Sequence, residues 1–178
     1  MPKVKLMIRQ LEANEKSVVE LSERCFDELR QVYRPTEVAV SNKNSAKNEW
    51  SCFGFHVDEV LVGVVEAKQV GSVLQLSSLA VAPSFRQKGV ARKLIDFVVT
   101  QFKSINSVSV WCVEQTGNVA VFKALGFNVV QRFDSDFFIL SDGSKAVEVQ
   151  LKQKVRHNKA FKRDLARVAF SICVGFSG

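Results

Sequence analysis

The sequence predicts a single α+β domain in which helices flank one mixed, mostly antiparallel twisted sheet with one parallel strand pair. Two features carry the prediction. Three strand-like runs, Ser51–Val57, residues 61–70 and Val73–Val81, are joined by "DEV" and "GS", which are short enough for antiparallel hairpins. Past Pro83 the apolar period changes from two to that of a helix, and at "SVSVWCV" (Ser107–Val113) it returns to a strand. A strand, a right-handed helical crossover and a strand leave Val73–Val81 parallel to Ser107–Val113. With 178 residues, 47% hydrophobic and 24% charged, the chain suits one core.

In chain order, residues 4–8 alternate as a strand, and Asn14 offers an N-cap to a helix with Val18, Leu21, Cys25, Leu29 and Val32 on one face. This helix stops before Pro35, and residues 36–49 are mostly polar and weakly periodic, as expected of a long functional loop. After the three-strand meander, Val90, Leu94, Phe97, Val98 and Phe102 mark a helix ending near Lys103. A shorter helix, about 118–125, is closed by Gly126. Strands are expected at 128–132, 137–140 and 146–152, with "SDGS" turning between the last two.

Charge and composition exclude several classes of function. The formal charge is +7, yet from Lys152 onward there are seven basic residues against Asp164 alone, so about +1 belongs to residues 1–151. A uniformly basic nucleic-acid face is therefore excluded. The organisation expected is a domain over 1–151 and a basic tail over 152–178. Phe161, Leu165, Val168 and Ile172 give that tail an amphipathic helical pattern, suited to docking on the body or on a second copy. No apolar run reaches the ~18 residues of a membrane span, and "MPKVKLMIRQ" has no secretory h-region, which points to a cytoplasmic protein without membrane partners. Cys25, Cys52, Cys112 and Cys173 are scattered in apolar surroundings and read as buried thiols. With only His56 and His157 besides, neither a metal cluster nor a Ser-His-Asp triad is expected, and His56, near a turn, reads as a surface residue.

The chemistry concentrates in "PSFRQKGVARKL" (residues 83–94). Here a strand gives way to a helix, so backbone N–H groups converge at the positive end of a helix dipole. Gly89 allows close approach of an anion, and Arg86, Lys88, Arg92 and Lys93 add charge suited to a diphosphate. Neither GxxxxGK(S/T) nor GxGxxG occurs, so this is not one of the two familiar phosphate loops.

Residues 76–99, "LSSLAVAPSFRQKGVARKLIDFVV", followed by "VFKALGF" (121–127), resemble the GNAT family of acyl-CoA-dependent N-acyltransferases. Element order extends the resemblance over about residues 4–151. Arg86, Gly89 and Ala91 match the family's Arg/Gln-x-x-Gly-x-Gly/Ala loop. The resemblance implies acetyl-CoA as cosubstrate, with its pyrophosphate on the segment Arg86, Gln87, Lys88, Gly89, Val90, Ala91 and Arg92. It also implies a bulge that splays the strand before the loop from its parallel neighbour, so that the pantetheine arm bonds to Leu79 and Val81. Transfer is then a direct attack by an amine in a ternary complex, with the Val81 N–H donating to the thioester oxygen.

The family's usual tyrosine acid is replaced by Phe122, which has no hydroxyl and would pack against the pantetheine; the only tyrosine, Tyr33, lies at the end of the first helix. Glu66 and Glu114 are the candidate bases, with Ser77 and Ser78 able to hold a relay water. The acceptor is expected between residues 36–49 and the final hairpin, in a monomer or homodimer. The alternative is a catalytically weak CoA-binding module whose basic tail engages an acidic partner such as RNA.

Overall fold

The computed structural model describes residues 4–43 and 49–155. Its elements are β1 (Leu6–Leu11), α1 (Lys16–Arg30), β2 (Tyr33–Pro35), α2 (Glu37–Lys43), β3 (Ser51–Val57), β4 (Val60–Val70), β5 (Val73–Val81), α3 (Val90–Gln101), β6 (Ser107–Val113), α4 (Asn118–Ala124), β7 (Asn128–Leu140) and β8 (Lys145–Lys154). The strands form one sheet in the order β1-β3-β4-β5-β6-β8-β7-β2. Among the described residues β5 and β6 are its only parallel pair, as the α3 crossover requires.

Cross-strand pairing decides which side chains share a face. Phe53 of β3 packs edge-on against Phe97 and Phe102, and its partner on β4 is Val65, so these residues face α3. A Cβ on Gly63 would stand 2.9 Å from Val90 Cγ1, so only glycine lets the start of α3 come this close to β4. Through the pairs Ala67–Leu76 and Leu76–Val110, the α3 face continues onto Val108 and Val110. Ser109, Trp111 and Val113 therefore lie on the opposite face, where α1 packs through Val18, Leu21 and Cys25. α4 joins α3 on its side, because Arg92 of α3 donates to the carbonyls of Ala124 (2.9 Å) and Leu125 (3.5 Å).

Several local expectations change. α1 starts after Glu15, not under an Asn14 cap, and the Glu15 carboxylate instead accepts the Glu12 N–H at 3.1 Å. Residues 36–49 are not wholly loop. Tyr33–Pro35 pairs with β7 at the edge of the sheet, and Thr36 Oγ1 accepts the Ala39 N–H (3.4 Å) at the start of α2. The strands expected at 128–132 and 137–140 are one strand, β7, with a register irregularity between Asp134 and Ile139. His56 is buried at 5% exposure because β1 pairs alongside β3; burial and Arg9 push its pKa down.

Cys25 and Cys52 are buried free thiols and Cys112 is half-buried. Burial pushes the Cys52 and Cys112 thiols up to about 11. β8 runs on to Lys154, and the amphipathic helix expected in the tail lies outside the described residues.

Candidate active site

A gap opens between β5 and β6. Their ladder ends at Leu76–Val110, although β5 continues to Val81 and β6 to Val113. The cause lies on the other side of β5. There Glu66 pairs with Ser77 but Val64 with Ala80, so Ser78 and Leu79 together stand opposite Val65. Ser78 takes up the extra residue at φ +52°, a conformation that turns the strand. Beyond this bulge the Ala82 N–H bonds to Val62 O at 2.8 Å, and by strand alternation the Leu79 and Val81 backbone groups face β6 across the gap. The Val81 carbonyl already accepts Arg86 Nε (3.2 Å) and Cys25 Sγ (3.5 Å). What Val81 offers to a ligand is its N–H.

The gap leads onto the start of α3. A 3-10 turn at Pro83–Phe85 is followed by Gln87 at φ +60° and Gly89 at φ +77°, both left-handed. The Lys93 N–H bonds to Gly89 O at 3.0 Å, so the N–H groups of Val90, Ala91 and Arg92 precede the helical ladder at its positive end. A Cβ on Gly89 would meet nothing within 4 Å. Glycine is needed there for its backbone angle, and the space outside is open to a ligand, as a diphosphate cradle requires.

The basic side chains divide their work. Arg86 pairs with Glu28 at 3.5 Å as well as holding Val81 O, so its guanidinium ties the loop to β5 and α1. Arg92 caps the end of α4. Lys88 lies over the Phe85 ring at 5.4 Å. Both guanidiniums are thus engaged within the protein; the Arg86 N–H is also taken, by Pro83 O at 3.3 Å, whereas the Arg92 N–H is among those that precede the helical ladder.

Of the carboxylates expected to act as base, Glu114 directly follows β6 at the wide end of the gap, and Arg132 Nε donates to it at 2.8 Å. Glu66 is half-buried on the α1 face opposite Ser77. At ~3.3 Å per residue, with one residue absorbed in the bulge, Ser77 lies roughly 10 Å down the strand from Val81. Glu66 reaches that level only through a relay, for which the Ser77 and Ser78 hydroxyls stand 3.4 Å apart. Phe122 is half-buried in α4, edge-to-face with Phe127 at 5.7 Å.

Sequence reasoning missed the far side of β6. Tyr33 packs edge-on against Phe138 (5.2 Å), and burial together with Cys112 and Glu148 pushes its phenol up, which places it within electrostatic reach of β6 and β8. Glu148 of β8 pairs with Val113 at the wide end of the gap and accepts a hydrogen bond from Ser135. The alternation in "AVEVQLK" already sets Glu148 and Gln150 on a polar face, but not where that face lies.

Residues 15–127 match the model of the Acetyltransferase (GNAT) family, well over half of the chain. The chain belongs to the GNAT acetyltransferase family. The GNAT match takes in α1, the bulged β5, the loop, α3, β6 and α4, and it ends at Phe127. No curated protein matches the chain by sequence. Among solved structures, a probable acetyltransferase from Staphylococcus epidermidis is 18% identical with a TM-score of 0.61, covering 85% of this chain and 99% of its own. The ribosomal-protein-S18-alanine N-acetyltransferase of Escherichia coli is 13% identical with a TM-score of 0.59, covering 86% and 96%. A GNAT family acetyltransferase from Elizabethkingia anophelis with acetyl-CoA bound is 12% identical with a TM-score of 0.60, covering 85% and 99%. These likenesses show the GNAT fold, with its mixed sheet and single parallel pair, that the sequence led us to expect.

Proposed function

We propose that this protein is an acetyl-CoA-dependent N-acetyltransferase acting on a primary amine by direct attack in a ternary complex. The observation that carries the proposal is the bulge-opened gap beside Val81 running onto the open cradle at Gly89. Acetyl-CoA supplies an activated acetyl thioester. The N–H groups of Val90, Ala91 and Arg92 hold its diphosphate with Gln87 and Lys88 alongside, and Leu79 lines the pantetheine channel. The Val81 N–H donates to the thioester oxygen as charge grows there during attack. Arg86 and Cys25, by occupying the Val81 carbonyl, hold the peptide unit that follows this N–H and so anchor the strand end beside it.

The diphosphate end arrives from the α3 side, which leaves the α1 face to the amine. The proton passes to Glu114, just past the end of β6 and level with Val81, or on the α1 face by the serine relay to Glu66. Phe122 offers no proton to the departing thiolate. A thiol of pKa ~8.5 is a tolerable leaving group without one, so the reaction does not depend on an acid at that position. The test is thiol release from acetyl-CoA across a panel of primary amines, with the N-acetyl product identified by mass. Release that depends on the amine is expected. Binding without release from any amine would overturn the proposal and favour the CoA-binding module with an RNA-directed tail.

A further inference from the structure

The face of the sheet that carries α1 holds, beyond the gap, side chains the proposed chemistry does not use. Ser135 of β7 is 1% exposed, and its hydroxyl oxygen accepts the N–H groups of Phe137 (3.0 Å) and Phe138 (2.9 Å). With its lone pairs taken, its single proton goes to the Glu148 carboxylate, which fixes that side chain from one side. The neighbouring cations are committed elsewhere: Arg132 to Glu114 and Lys145 to Asp136. No ion pair among the described residues includes Glu148. Trp111 and Phe133 share its face, edge-to-face at 5.6 Å, and stay 41% and 43% exposed although both are large aromatics. An oriented, uncompensated carboxylate beside open aromatic surface is suited to an alkyl chain that ends in a positive charge.

That charge is not on the reacting nitrogen. An attacking amine is uncharged and stands beside Val81, whereas Glu148 belongs to the strand beyond β6. At strand spacings of ~4.8 Å its backbone is roughly 10 Å across the sheet from β5, before any widening of the gap. The glutamate side chain covers only part of this distance. We infer that Glu148, oriented by Ser135, anchors a second ammonium of the acceptor, so that the substrate class is a primary diamine or a lysine-like dication, its methylene spacer lying on Trp111 and Phe133. Glu148 and Ser135 fall outside the stretch matched to the family, on the hairpin that follows it.

This inference rests on the acyltransferase reading, and the experiment separates the two. The full chain is assayed with acetyl-CoA and either 1,5-diaminopentane or 1-aminopentane, which differ by one terminal ammonium. The wild type should favour the diamine by about tenfold in kcat/KM. Glu148→Gln, which still accepts the Ser135 proton, should lose that preference while acetyl-CoA raises its melting temperature as in wild type. Ser135→Ala should raise KM for the diamine more than KM for the monoamine. Equal use of the two amines by the wild type, action on neither while acetyl-CoA still stabilises it, or a preference that survives Glu148→Gln would overturn the inference alone. Absence of any acetyl-CoA stabilisation of the wild type would overturn the acyltransferase reading and this inference with it.

Discussion

In Gly89→Glu, acetyl-CoA no longer raises the thermal midpoint. The wild type, with ligand at 100 times its dissociation constant, should gain about 2.7 kcal/mol, a readily measured shift. The glutamate would place a carboxylate and its bulk in the cradle where the N–H groups of Val90, Ala91 and Arg92 converge. Because a Cβ at this position meets nothing within 4 Å, lost binding would not reflect a clash inside the protein. The φ of +77° does impose a strain of about 1–2 kcal/mol on any side chain, so both variants should melt lower than wild type without ligand. Gly89→Ala shares that strain without the charge and should keep a response. A Gly89→Glu protein that responds like wild type would place the diphosphate elsewhere.

The second large effect is on turnover. Val81→Pro removes the one N–H assigned to the thioester oxygen and should lower kcat by about 10² to 10³, the usual cost of losing such a donor. The fold should tolerate the change, since the Val81 N–H faces the gap while Ala82 makes the neighbouring ladder bond to Val62. Val81→Ala keeps the N–H and should stay within a few-fold of wild type, so the pair of variants separates backbone from side chain. Steady-state thiol release measures both, and an unchanged kcat in Val81→Pro would remove this donor from the mechanism.

The parts of this protein that were legible in its sequence are those written locally. The meander, the crossover helix and the turn at Gly89 each announce themselves by period or by a glycine, and each is found where expected. The bulge came instead from the family resemblance, because no local signal marks Ser78 as left-handed. The β2 strand of three residues was invisible for a similar reason: Tyr33–Pro35 is extended because β7 offers it a partner about a hundred residues later.

The same distinction runs through the candidate site. A basic loop at a helix start was readable, but the direction of each guanidinium was not. Arg86 turns back to Val81 and Glu28, and Arg92 turns to the end of α4, contacts that depend on tertiary packing. Glu148 and Ser135 went unread because a strand's polar alternation gives a face but not its neighbours, and only the placement of β8 beside β6 brings them next to the gap. His56 was misjudged likewise, since its burial depends on β1 covering the flank of β3.

The central claim is that one continuous site runs from Val81 through the gap to the start of α3. It is tested most directly by following backbone amide resonances of the wild-type protein during titration with acetyl-CoA. Val81, Val90, Ala91 and Arg92 should show the largest shifts and saturate together. A rival location exists on the other flank of the α3 start, an apolar recess of about 450 Å³ lined in part by Leu6, Phe55, Val57, Phe85 and Val90. Shifts centred on Leu6, Phe55 and Val57 with Val81 unmoved, or no shifts at all, would contradict it.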